Sequence, residues 1–135
     1  MLNTFHGTRC LLQQLENGIY EFVFTEASRQ AVDDWFTQLE FLTRNVSSDS
    51  MLHILVRSTA PEMLPVTYMI KSAHNWIAAN PHLYTARIVF LHRSSFYYPH
   101  AKSFIRAWQM YNGIAVRFYQ ADRREDAIHW LLTDN

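Results

Sequence analysis

Residues 51–77 read MLHILVRSTAPEMLPVTYMIKSAHNWI, and the order of apolar and polar positions in this stretch decides the fold. Met51 to Val56 is an apolar run broken only by His53, the pattern of a strand buried on both faces. Ser58 to Leu64 reads as a loop. Pro65 suits the first position of a helix, where its missing N–H would have no partner in any case. Val66, Met69, Ile70, Ala73 and Ile77 then recur at spacings of three and four, which is the inner stripe of an amphipathic helix. Asn80-Pro81 ends it, because proline disfavours helical backbone in the residue before it. A buried strand followed directly by a helix is half of a parallel crossover unit.

The same unit recurs on the C-terminal side. Thr85 to Leu91 contains Ile88, Val89, Phe90 and Leu91 and reads as a second buried strand, followed by a polar and aromatic loop from His92 to Tyr98. A third helix is expected from about Pro99 to Asn112, with Ala101, Phe104, Ile105 and Trp108 on one face and Gly113 as its C-terminal stop. Ile114 to Tyr119 reads as the last strand. Asp122-Arg123-Arg124-Glu125 has the form of a capping box, and Ala127, Ile128, Leu131 and Leu132 give the inner face of a closing helix.

On the N-terminal side, Val32, Trp35, Phe36, Leu39 and Leu42 mark an amphipathic helix over Ala27 to Arg44. Before it, Cys10 to Leu15 and Ile19 to Phe24 flank the turn Glu16-Asn17-Gly18 and read as a β-hairpin. The expected order is ββαβαβαβα: an α/β fold with a mostly parallel five-stranded sheet, helices on both sides and the first strand at or near an edge. Residues 1–135 form a single domain, a length at which roughly 65–70% of the unfolded surface can be buried. In such sheets ligands gather beyond the carboxyl ends of the strands.

Composition narrows the function classes. With 49% apolar and 18% charged residues the chain is expected to fold without metal or disulfide support. Twelve basic and twelve acidic residues cancel, which argues against nucleic acid as partner, since phosphate binding needs a clustered positive excess. A near-zero net charge also weakens self-repulsion and permits a homodimer. The lone Cys10 fits a reducing, cytoplasmic setting. Met1 to Arg9 lacks the pattern of a secretory leader, and nowhere do 18 apolar residues run together, so no membrane span is expected.

The hairpin, the repeated α/β units and the closing D-R-R-E-D-A-I-H-W-L-L helix together resemble the anti-sigma factor antagonist architecture, known as STAS or SpoIIAA-like, over about residues 8 to 133. In signalling members of that family a Ser or Thr after the central strand is phosphorylated by a partner kinase. The matching positions here are Ser58 and Thr59, in Arg57-Ser58-Thr59-Ala60-Pro61, without the family's preceding Asp and following Gly. The resemblance implies a non-catalytic module that binds a protein partner.

Three groups of residues carry candidate chemistry. Arg57, Ser58 and Thr59 end one strand while His92, Arg93, Ser94 and Ser95 end the next, so neighbouring strands would bring two guanidiniums and several hydroxyls to one rim, fit for a phosphate or carboxylate. The competing reading is that these are ordinary loop and cap residues. Phe96, Tyr97 and Tyr98 are costly to leave wet. They either cap a small-molecule or lipid pocket, contact a partner, or fold back to finish the core. The seven histidines show no metal-ligand spacing, and one cysteine cannot build a structural zinc site. No nucleophile–base motif or phosphate-binding glycine loop is present. Neither an enzyme nor a cofactor is expected.

Overall fold

The computed structural model describes residues 4–5, 9–45, 51–79, 85–93, 106 and 113–133. Its elements in chain order are β1 (Thr4–Phe5), β2 (Cys10–Gln14), β3 (Tyr20–Phe24), α1 (Arg29–Arg44), β4 (Leu52–Ser58), α2 (Val66–Ala79), β5 (Ala86–His92), β6 (Ile114–Gln120), a 3-10 turn (Ala121–Arg123) and α3 (Arg124–Leu132). The helix expected over Pro99 to Asn112 lies outside the described residues, apart from Arg106.

The chain is α/β, but its sheet is mixed. Six strands stand in the order β1-β2-β3-β4-β5-β6. The pairs β1–β2 and β2–β3 are antiparallel, whereas β3–β4, β4–β5 and β5–β6 are parallel. The expectation of a mostly parallel sheet is therefore corrected to a mixed one, while the five expected strands all form as β2 to β6 and a short β1 is added at the edge. The added strand β1 has two residues, too few to leave a periodic signal in the sequence. Because strand order follows chain order throughout, the described sheet nowhere reverses, and the crevice that opens where doubly wound sheets reverse does not arise among these strands.

Local chemistry explains the main boundaries. The β2–β3 hairpin turns on Gly18, whose φ of 86° is cheap only for glycine. Its backbone N–H donates to the Leu15 carbonyl at 2.9 Å, and the Leu15 N–H donates to Ile19 at 2.8 Å. α1 starts two residues later than its periodicity suggests because Ser28 is its cap, the hydroxyl accepting from the Ala31 N–H at 3.1 Å. At α3 the expected capping box is not formed. A 3-10 turn leads in, Arg123 takes the cap position with no side-chain cap bond, and its guanidinium pairs with Asp126 at 2.8 Å instead.

Alternation along the strands divides the sheet into two unlike faces. The first face carries Leu12, Phe22, Val56, Phe90 and Phe118 in one row and is covered by α1 and α2. Trp35 of α1 is fully buried at its centre, with ring centroids 6.2 Å from Phe22, 5.9 Å from Phe24, 5.8 Å from Phe90 and 4.8 Å from Phe36. Most of these pairs are edge-to-face, the arrangement that aromatic quadrupoles favour. All five apolar positions read from the α1 sequence are buried, and on α2 Met69, Ala73 and Ile77 are.

The second face is covered, among the described residues, by α3 alone. Ile19, Leu55, Val89, Ala127 and Leu131 form its small apolar core, with Ile128 and Trp130 packed against it. Leu132, expected on the inner face, is exposed. So short a helix buries little, and polar side chains supply the rest of the contact.

Candidate functional site

Parallel pairing brings the carboxyl ends of the central strands together. Phe24 stands beside Ser58, and His92 beside Gln120. The rim expected from the sequence is thus built in part, but its side chains are spent on the protein's own backbone. The Ser58 hydroxyl accepts from the Ala60 N–H at 3.1 Å, and Thr59 donates to the Phe24 carbonyl from both its N–H, at 2.9 Å, and its hydroxyl, at 3.3 Å. Arg93 donates to the Ala60 carbonyl. His92 is buried beside the Phe118 ring. These bonds fix the turn after β4 against β3 and the end of β5. Ser94, Ser95, Phe96, Tyr97 and Tyr98 lie outside the described residues.

Arg57 is the exception. The rim reading pairs it with Arg93, but strand alternation turns it to the opposite side. Val56 points into the first face, so Arg57 must point into the second, and there it meets Glu21. Glu21 is only 2% exposed, an expensive place for a carboxylate unless it is paired. Three groups from three elements satisfy it. Gln13 of β2 donates to Oε1 at 2.5 Å, Arg57 of β4 donates from Nε to Oε2 at 3.1 Å, and Arg124 of α3 brings Nη1 to the same Oε2 at 2.8 Å.

The electrostatics of this centre follow from two opposed effects. Burial pushes the Glu21 carboxyl up, while the hydrogen bonds from Gln13 and Arg124 and the charges of Arg124 and Arg57 pull it down. The pull wins, and Glu21 sits below the ordinary carboxylate range, ionised at neutral pH.

Further arginines hold the other end of α3. Arg87 of β5 donates to the Trp130 carbonyl at 2.9 Å and also to the Thr133 carbonyl, capping the helix C-terminus, where the macrodipole favours a cation. The Arg87 and Arg117 guanidinium carbons lie 5.4 and 4.7 Å from the Trp130 ring centroid, within cation–π range. The last helix is therefore tied to the sheet by arginine at both ends.

No reactive set is assembled among the described residues. Cys10 is fully buried, and desolvation, aided by Asp34, pushes its thiol far up, so no thiolate forms. Its carbonyl accepts from Gln38 Nε2 at 2.6 Å, a tie between α1 and β2. No three His, Cys, Asp or Glu side chains gather to hold a metal ion among the described residues, and no helix there is long and apolar enough to cross a membrane.

Sequence reasoning missed Glu21, Arg124 and Gln13. The available signal was a single carboxylate at 21 inside the otherwise apolar Tyr20-Glu21-Phe22-Val23-Phe24. Comparisons of the chain with protein-family models, with curated proteins and with solved structures find no match in any of the three.

Proposed function

We propose that this protein is a non-catalytic, protein-binding module of STAS-like design, working in the cytoplasm as part of a bacterial regulatory system. One observation supports it above others. The polar side chains at the strand ends, Ser58, Thr59 and Arg93, are bonded to backbone groups of the same rim. Among the described residues they build a fixed surface with no nucleophile set beside a base, an arrangement that suits recognition and not acyl or phosphoryl transfer. The hairpin followed by β/α units agrees with the architecture that the sequence resembles.

The test pairs affinity capture from the native lysate with sedimentation. Wild-type protein is compared with Thr59→Arg, which places a long cation on the exposed turn without touching the core. A partner, or a self-associated species, that is retained by wild type and lost in the variant supports the reading. A strict monomer whose captured proteins are the same for both chains contradicts it.

A further inference from the structure

The rim did not yield the expected pairing of Arg57 with Arg93, yet Arg57 does have a second arginine beside it. Arg57 and Arg124 both contact Oε2 of Glu21, at 3.1 and 2.8 Å, so their contacting nitrogens lie within about 6 Å of each other, a range in which unscreened like charges repel. One buried carboxylate cannot neutralise two guanidiniums, and the group carries a net charge of plus one.

Each guanidinium has more donors than Glu21 can use. Arg57 binds it through Nε and Arg124 through Nη1, and the remaining nitrogens have no protein hydrogen-bond partner among the described residues. Both side chains are a little over one third exposed, at 37% and 38%. Each side chain is held by a buried anchor and is still in part open to water. That is preorganisation of the kind that strengthens charge-assisted binding, because little side-chain freedom remains to be lost.

The geometry points to an anion-binding site formed by Arg57 and Arg124, with a phosphate-class oxyanion as its ligand. Two forks arriving from different elements, a strand end and the first turn of a helix, suit a tetrahedral group whose oxygens can each meet a different guanidinium. A planar carboxylate matches a single fork. The acidic neighbours shape the site without closing it. Asp126 is engaged by Arg123 at 2.8 Å, while Asp122 and Glu125 are exposed on the same lead-in to α3. They weaken the long-range field, so affinity rests on direct contact with the two arginines. Glu21 acts as a positioning residue that holds the pair.

The experiment is a titration of the full chain with inorganic phosphate and with phenyl phosphate, at constant ionic strength set by sodium chloride, followed by NMR of the arginine Nε–Hε groups. Saturable shifts confined to Arg57 and Arg124 are expected, with the apparent Kd weakened about tenfold or more in Arg57→Gln or Arg124→Gln, the loss of one charge-assisted contact. Each single variant leaves Glu21 paired with the other arginine, which preserves the fold, and the wild-type spectrum is decisive even without them. Shifts that grow linearly, that chloride or acetate reproduces, or that survive unchanged in both variants would overturn the site.

Discussion

The two faces of one sheet are closed by opposite means. On the first, α1 and α2 lay an aromatic and aliphatic surface over Phe22, Val56 and Phe90, and Trp35 fills the centre. On the second, the nine residues of α3 cover a small apolar patch and are held at their ends by Glu21 with Arg124 and by Arg87 with the last carbonyls. The first face depends on area removed from water, which does not change with pH. The second depends on charges whose pairing does. A helix too short to dock by burial alone has been given specific polar anchors, and those anchors bring two arginines together near the surface.

The largest loss of stability is expected on the apolar side. Trp35→Ala removes the shared neighbour of four aromatic rings and should cost about 3–5 kcal/mol in denaturant unfolding. On the polar side, Glu21→Gln keeps the shape and most hydrogen bonds but leaves two arginines without their counter-charge. About 2–3 kcal/mol is expected from the same measurement, since bonds to charged groups carry roughly 1.5–3 kcal/mol each and water can reach the exposed guanidinium ends.

Acid sharpens the contrast. Glu21 is held below its ordinary value in the folded chain, so its contribution to stability is complete above the unfolded carboxylate pKa of about 4.3 and is lost as the pH falls through the lower, folded value. Stability measured between pH 6 and pH 3 should fall more steeply for wild type than for Glu21→Gln, while Trp35→Ala keeps the wild-type slope. The smallest effect belongs to an ordinary surface pair. Arg44→Ala removes the exposed contact with Glu40 at 3.1 Å and should change stability by less than about 0.5 kcal/mol.

How much of this was legible in the sequence follows the same division. The hairpin, α1, α2 and the three longer parallel strands, β4, β5 and β6, announce themselves through apolar spacing, because burial against a flat sheet imposes a period on the chain. The buried residues of α1 could be named from spacing alone. The ion centre could not. Glu21, Arg57 and Arg124 lie far apart in the chain, and only strand order and the path of α3 bring them together. Alternation from Val56 does turn Arg57 away from the rim, a step that grouping it with its neighbours at the strand end overlooks. The capping-box pattern at Asp122 misled for a related reason. Its residues fit the local motif, but Arg123 and Arg124 take other partners, and the helix enters through a 3-10 turn.

The contrast between the two faces rests on α3 being fastened to the second face through Glu21. A double-mutant cycle of Glu21→Gln, Arg124→Gln and the double variant, followed by urea unfolding at pH 7, measures that link directly. A coupling energy of about 1–3 kcal/mol is predicted, the size expected of residues joined in one buried charged network. Additive effects, within about 0.3–0.5 kcal/mol, would contradict it.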